Sequence, residues 1–410
     1  MTNDKKNVIW NIIGATVNSF NSLLFAILVT RMNGINDGGI FTYCFATACL
    51  LYMIGIYAGR TFQVTDISNK NSDTDYIYHR LLTCTIMVII SIGFVIIKQY
   101  DIYKSSIFII LCIFKCVEAF SESIYAILQK NNLLFKVGIS MFLKAIIALI
   151  VFAIINYATE DLIISCLSIV ITNLLILFIY DYRNVKKVNI VKTKLTKNSV
   201  IRLFKIGFFT FILTFLANYL INSSRYAIDD ILENDLQTIF GIIIMPATFM
   251  GLLGQYIIQP YLTKISDNIK NKKYYDLKKM IIYLISIILV LGIFVVIVAY
   301  FLEMPVLQII YNVELQPYFI SMIIIVVGSI FYSISTILSA ILIAMRKTVG
   351  QAILYSGMAI LATILSYTLI QKYQIAGASI TYFIIMTIIS ILFLIYVIYA
   401  MKKYKSEWEK

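Results

Sequence analysis

Two apolar runs near the start of the chain cannot be buried in an ordinary soluble core. Between Asn11 and Asp66 they are separated only by the polar turn Asn33-Gly34-Ile35-Asn36-Asp37-Gly38-Gly39. Each run exceeds the ~20 residues that cross the hydrocarbon core of a bilayer. In that core a lone segment must satisfy its own backbone hydrogen bonds, which commits both runs to α-helix. At about 100° per residue, Asn11, Gly14, Asn18, Asn21 and Ser22 of the first run share one helical face. Unpaired amides are costly in hydrocarbon, so this stripe must face other helices or water. In the second run Tyr52, Gly55, Gly59 and Gln63 share a face. Gly55 and Gly59 have the GxxxG spacing at which helix backbones approach closely. Arg60 lies off that face.

The rest of the chain repeats the pattern. Mean hydropathy is +0.89, and 60% of residues are hydrophobic against 13% charged. This is the composition of an all-α polytopic membrane protein, with no room for a large soluble domain beside the spans. About twelve spans are expected, at roughly 8–32, 39–64, 80–98, 104–128, 135–156, 161–182, 201–224, 236–262, 278–302, 317–345, 349–371 and 376–400. The first run is too long for a signal-peptide core, so an uncleaved first span is expected. Pro246 predicts a kink in the eighth. On alternating assignment most of the 34 lysines and arginines fall on the side of the N-terminus, which puts both termini in the cytoplasm. The net charge of +13 therefore reports topology and contact with anionic lipid, not nucleic acid. The six cysteines lie in apolar runs and His79 reads as an isolated loop residue, so no disulfide or metal site is expected.

The basic stretch 183–200 separates two sets of six spans, giving lobes at 1–182 and 201–410. The seventh span is striped like the first: Gly207, Thr210, Thr214, Asn218, Asn222 and Arg225 share a face. Such parallel repeats in transporters place the substrate path between two halves.

Charges inside spans are the sharpest functional signal, because each costs about 2.5–3.5 kcal/mol on insertion unless paired or hydrated. Lys115, Glu118 and Glu122 share one face of the fourth span, and Lys144 lies in the fifth. Counted at about 1.5 Å per residue from the span ends, Lys115 and Lys144 reach the midplane, where neighbouring antiparallel helices would let these charges meet. Two readings stand side by side: a structural ion-pair cluster, or a site whose surplus cation meets an anionic headgroup while Glu118 or Glu122 couples transport to protons or sodium. Arg60 and Arg31 lie near opposite ends of spans two and one. Arg225 continues the polar stripe of span seven that includes Asn218.

The opening residues also carry a family likeness. The order is the Asn/Gly-striped helix, Leu28-Val29-Thr30-Arg31, Gly39-Ile40-Phe41, Ile54-Gly55-Ile56-Tyr57-Ala58-Gly59-Arg60 and Phe62-Gln63-Val64-Thr65-Asp66. It resembles the start of Wzx-type polysaccharide-transport proteins, the O-antigen flippases. Their superfamily also holds the lipid II flippase MurJ and the MATE multidrug exporters. The resemblance implies two six-helix lobes around a central cavity, with helices one and seven facing it. It implies transport of an undecaprenyl-pyrophosphate-linked oligosaccharide, an O-antigen or capsule repeat unit, across a bacterial inner membrane. In that setting Lys115, Lys144, Arg225, Arg60 and Arg31 would attract pyrophosphate, and Asn18, Asn21 and Asn218 would bind sugar hydroxyls. Polysaccharide polymerases and glycosyltransferases are the implied partners. Two other functions fit a polytopic chain: a MATE-like small-molecule exporter, or an integral-membrane polymerase or glycosyltransferase. No Walker A sequence is present. The acidic loop Asp229, Asp230, Glu233 and Asp235 is too short a scaffold for sugar chemistry, so a non-enzymatic transporter without cofactor is expected.

Overall fold

The structure is a computed structural model, described over residues 3–57, 59–65, 71–191 and 197–408. Ala58 and Asp66 of the opening stretch, and residues 192–196 of the expected linker, lie outside those residues. Among the described residues all regular structure is helical. The first helices are α1 (Asn3–Met32), α2 (Ile35–Ile56), α3 (Gly59–Thr65), α4 (Asp73–Lys98), α5 (Ile102–Lys130), α6 (Leu134–Thr159), α7 (Leu162–Ile176) and α8 (Tyr182–Val185). A π-helical turn, Leu177–Asp181, joins the last two. Then come α9 (Lys197–Ile231), α10 (Asn234–Ile243), α11 (Met245–Ile258), α12 (Leu262–Lys270), α13 (Tyr274–Val298), α14 (Met304–Tyr311), α15 (Phe319–Ala344) and α16 (Thr348–Trp408).

Ten stretches of the described residues are long and apolar enough to cross a bilayer. One of them, Thr348–Lys403, holds two crossings, because α16 breaks at Gln374 (φ 48°, ψ −125°). The 29-residue α5 is also of crossing length, although it carries Lys115, Glu118 and Glu122. The expected twelve spans are thereby accounted for. Pro246 sits in the first turn of α11, immediately after α10 ends, as the expected interruption of span eight.

Three local expectations are corrected. Span two is not continuous: α2 ends at Ile56, Tyr57 takes φ 46° and ψ −124°, and Gly59 takes φ +70°. Gly55 and Gly59 therefore do not form one close-packing face. His79 lies not in a loop but inside α4, its ring 5.5 Å from Tyr57 and 4.5 Å from Phe204. Arg80, expected at a cytoplasmic span end, is likewise buried.

The chain divides into two compact units, Met1–Phe215 and Leu216–Lys410. In the first, α1 and α6 pack backbone to backbone. A Cβ added to Gly14 would come within 2.1 Å of the Gly138 carbonyl oxygen, so no larger residue fits this approach. Further along the same two helices Phe25 and Phe152 form an aromatic core with Phe41 of α2. Ser72 caps α4 in a reciprocal box with Asp75. The same acidic cap reaches the residues on either side of the basic stretch: Ser199 donates to Asp75 at 2.6 Å, and the Val191 backbone N–H donates to Asp73 at 3.1 Å. Arg202 donates to Asn71. The start of α9 is thus tied to the first unit.

Candidate functional site

The site grows from four local features of the first unit. The earliest is the break after α2. A helix end leaves backbone carbonyls without intrahelical partners. The Gly55 carbonyl, freed in this way, accepts from Arg80 Nη1 at 2.5 Å and Thr83 Oγ1 at 2.7 Å. A cation is favourable at a helix C-terminus, where the peptide dipoles converge. Arg80 therefore finds its buried partner at a place that only the break creates. Beyond the break, α3 carries Arg60, whose Nε donates to Gln129 at 2.7 Å and whose Nη1 lies 3.9 Å from Glu122.

The second feature is the polar face of α5. Lys115, Glu118, Ser121, Glu122 and Tyr125 recur at three- and four-residue spacing, which stacks them along one side. Lys115 pairs with Glu118 at 2.6 Å. Its ammonium also lies 4.6 Å from the Phe45 ring centroid and 4.8 Å from that of Phe114. These rings are suited to holding a cation away from water.

The third feature is Lys144 on α6. Its ammonium donates three bonds: to Asp181 Oδ2 at 2.6 Å, Ser121 Oγ at 2.7 Å and the Tyr125 hydroxyl at 3.0 Å. An ammonium has no lone pair. Tyr125 must therefore accept from it, which leaves its own O–H to donate to Ser140 Oγ at 2.8 Å.

The fourth feature is the π-helical turn. One extra residue per turn shifts the following side chains by roughly 100° relative to a regular helix. Asp181, at the end of this turn, is fully buried, and Lys144 is 6% exposed.

Together these elements enclose a small cavity lined by Asn18, Tyr52, Glu118, Ser121, Glu122, Tyr125, Met141 and Lys144. It has room for a few waters, about 40 Å³ where one water requires ~10–15 Å³. It is far too small for a sugar. What it can do is hydrate ions, move protons along hydroxyls, and present an ammonium to an anion. The cluster contains four cations (Arg60, Arg80, Lys115, Lys144) and three carboxylates (Glu118, Glu122, Asp181). Each cation has a partner. No group of three His, Cys, Asp or Glu among the described residues is placed to hold a metal.

Of the residues singled out from sequence, the structure gathers Lys115, Lys144, Glu118, Glu122, Arg60 and Asn18. Asn21 is buried one turn further along α1. Arg31 is exposed at the end of α1 and does not line the cavity. Arg225 and Asn218 belong to the second unit. The Arg225 guanidinium lies 6.0 Å from the Phe240 ring centroid, and the Asn218 carbonyl accepts from Asn222. The expected meeting of Lys144 with the α5 carboxylates is replaced by the pair with Asp181. Sequence reasoning passed over both Asp181 and Arg80 as residues at span ends.

No family model matches the chain. Over 381 residues it is 25% identical to the capsular polysaccharide biosynthesis protein CapF of Staphylococcus aureus, spanning 92% of this chain and 94% of that protein. Its fold matches a multidrug resistance MATE family transporter of the MOP superfamily in an inward-facing conformation. The TM-score there is 0.72 at 12% identity, over 97% of this chain and 99% of that one. It matches the lipid II flippase MurJ in an inward closed conformation equally well, with a TM-score of 0.72 at 16% identity over 97% and 90% of the two chains. The likeness read in residues 11–66 thus extends over nearly the whole chain, in sequence to a capsular polysaccharide protein and in fold to MOP-superfamily transporters. This is a multi-pass membrane protein with a transporter fold.

Proposed function

We propose that this chain is a flippase that carries an undecaprenyl-pyrophosphate-linked oligosaccharide from the cytoplasmic to the outer leaflet of the bacterial inner membrane, by alternating access and without covalent chemistry. The observation that carries the proposal is the cluster of Lys115, Lys144, Arg60 and Arg80 with three carboxylates, set inside a membrane helix bundle around a polar cavity. Charges at such depth mark substrate or ion paths. The name of the capsular relative supports a saccharide cargo, and the flippase fold of MurJ supports a lipid-linked one. Lys115, Lys144 and Arg60 would meet the pyrophosphate, with Arg225 and Arg31 as further cations. Asn18, Asn21 and Asn218 would bond sugar hydroxyls, and Glu118 or Glu122 would couple the movement to protons or sodium. Both termini would be cytoplasmic, and a polymerase and glycosyltransferases would work beside it.

Deletion of the gene tests this reading. Lipid-linked single repeat units should accumulate on the cytoplasmic leaflet, and the surface glycan should be lost. Accumulation on the outer leaflet would instead indicate a polymerase. The likeness to MATE transporters favours one rival, small-molecule export. A deletion strain with intact glycan and raised sensitivity to cationic drugs would establish that rival.

A further inference from the structure

We propose that Phe45, Tyr52, Phe114 and Glu118 form a binding site for a small alkylammonium cation, and that this chain keeps the site filled with its own Lys115 and so closes it to free organic cations. The cage rests on geometry; only its bearing on an anionic cargo rests on the flippase reading.

The walls of the cage come from two helices. Phe45 and Tyr52 are seven residues apart on α2, which returns them to one face. Phe114 is on α5. The three ring centroids lie 4.6, 5.7 and 4.8 Å from the Lys115 ammonium. Glu118 closes the remaining side at 2.6 Å, and the Cys49 thiol lies beside the ammonium. Aromatic faces around a cation, with a carboxylate to fix it, are the arrangement that recognises alkylammonium ligands. The rings do not depend on the lysine for their places. Phe45 packs on the fully buried Phe41, centroids 5.7 Å apart, and on Phe114 at 6.3 Å. Truncating the lysine therefore leaves the cage standing. Lys115 is not part of the cavity lining, but Tyr52 and Glu118 are. The place its ammonium fills thus adjoins the space a ligand would reach.

The consequence concerns the sign of what the cavity accepts. Its ionised lining is Glu118, Glu122 and Lys144. Lys144 is matched by Asp181 behind it, and Glu122 lies near Arg60. Glu118 is matched by Lys115. Without Lys115, Glu118 would be a carboxylate facing the cavity with aromatic rings at its back, and a free organic cation would satisfy both. With Lys115 in place the carboxylate and the rings are taken. A tethered ammonium loses no translational freedom when it binds, so a free amine cannot compete with it. The fold does not decide the cargo, since it is shared with a multidrug resistance transporter and with a lipid II flippase. A side chain that removes the cation site does bear on it. Earlier on the same face of α5, Lys104 lies 4.9 and 4.5 Å from the Tyr43 and Tyr100 ring centroids. None of those residues lines the cavity, so that second cage has no part in the site.

The test removes the tethered cation and supplies it free. The purified full-length Lys115→Ala chain in detergent is titrated with n-propylammonium, which reproduces the atoms lost beyond Cβ. Its unfolding midpoint should rise with amine concentration, as binding to the folded state requires, while the wild type shows no shift. n-Propanol, similar in shape but uncharged, should bind at least about tenfold more weakly. The amine should bind more weakly by the same factor to Lys115→Ala/Glu118→Gln and to Lys115→Ala/Phe45→Leu. The second of these separates the ring cage from simple relief of a stranded carboxylate. Because Lys115→Ala leaves Glu118 without its partner, its membrane level is also measured with and without the amine in the growth medium, and the amine should raise it. The Glu118→Gln double variant strands no charge and should fold without help. An equal shift in the wild type, no shift in folded Lys115→Ala, full affinity in either double variant, or a Lys115→Ala chain absent from membranes under both conditions overturns the proposal. Amine binding by Lys115→Ala, together with normal glycan export in a deletion strain, would uphold the cage while removing the saccharide reading. Lost export in the deletion strain with no amine binding would do the reverse.

Discussion

The two units bury different chemistry. In the first, the interior holds Asp73, Asp75, Arg80, Lys104, Lys115, Lys144 and Asp181. In the second, no Asp, Glu, Lys or Arg among the described residues is buried. Its polar interior is neutral: Gln237, Gln351, Ser329, Ser333, Ser366, Ser379 and Thr381. A neutral group inside a bundle needs one or two hydrogen bonds, and the helix's own carbonyls often supply them. Ser379 and Thr381 bond back to Ile375 and Gly377 in this way. An ionised group needs a partner that compensates its charge, and in the first unit several of these come from another element, as Asp181 does for Lys144 and the Gly55 carbonyl for Arg80. The first unit is therefore cross-linked by side chains whose loss leaves a charge stranded, while the second is held by contacts that can be lost singly.

The sharpest way to break that comparison is to strand one charge. Lys144→Met leaves Asp181 buried without a partner and should destabilise the protein by about 3–5 kcal/mol, the usual cost of halving a buried pair. Thermal unfolding in detergent should show a large fall in midpoint, and membrane levels should drop. Replacing both partners, Lys144→Met with Asp181→Leu, should recover most of the lost stability, because no charge is left behind. If the single variant is as stable as the double, the pair does not hold the first unit together.

Next in size is the contact of α1 with α6. Gly14→Ala places a methyl group 2.1 Å from the Gly138 carbonyl oxygen, so the helices must separate. A loss of about 1–3 kcal/mol is expected, as for other overpacked interiors. Gly357 in the second unit has nothing within 4 Å of an added Cβ. Gly357→Ala should be neutral or slightly stabilising, because alanine has the higher helix propensity. The same unfolding measurement compares the two.

A smaller effect is expected at the cap of α4. Ser72→Ala removes the acceptor for the Asp75 backbone N–H and half of the reciprocal box, worth about 1 kcal/mol. Asp75 keeps its bond from Ser199, so α9 should stay attached. Protease cleavage in the 191–199 region reports this: it should rise for Ser199→Ala and change little for Ser72→Ala.

Much of this contrast could be read from the sequence, and the missing parts share a cause. Helical spans declare themselves because twenty apolar residues in a row have few other fates. Lys115, Glu118 and Glu122 were placed on one face because α5 is regular through that region. Asp181 was missed because the π-helical turn inserts a residue, and periodicity counted at 3.6 per turn points its side chain elsewhere. The break after α2 was missed because it depends on contacts remote in sequence. Tyr57 stacks on Phe211 at 4.8 Å and donates to the Phe204 carbonyl at 3.1 Å, and these hold a backbone angle that Tyr57 alone disfavours. Arg80 followed from the break, since its partner is a carbonyl that a continuous helix would have used.

The smallest expected effect tests the neutral half of the comparison. Gln237 on α10 is 1% exposed, and both its Oε1 and Nε2 lack hydrogen-bond partners among the described residues. A buried amide in that state contributes nothing through its polar atoms and carries the cost of their desolvation. Methionine has nearly the same length and volume and no such cost. Gln237→Met should therefore leave the unfolding midpoint unchanged or raise it slightly, within about 1 kcal/mol. Lys144→Met, the same replacement in the first unit, should lower it severely. The two variants differ in what each leaves behind: an unpaired carboxylate in one, apolar neighbours in the other. A loss at Gln237 as large as that at Lys144 would mean that the second unit is also locked by a polar group its neighbours depend on. The division between a charged, cross-linked unit and a neutral one would then fail.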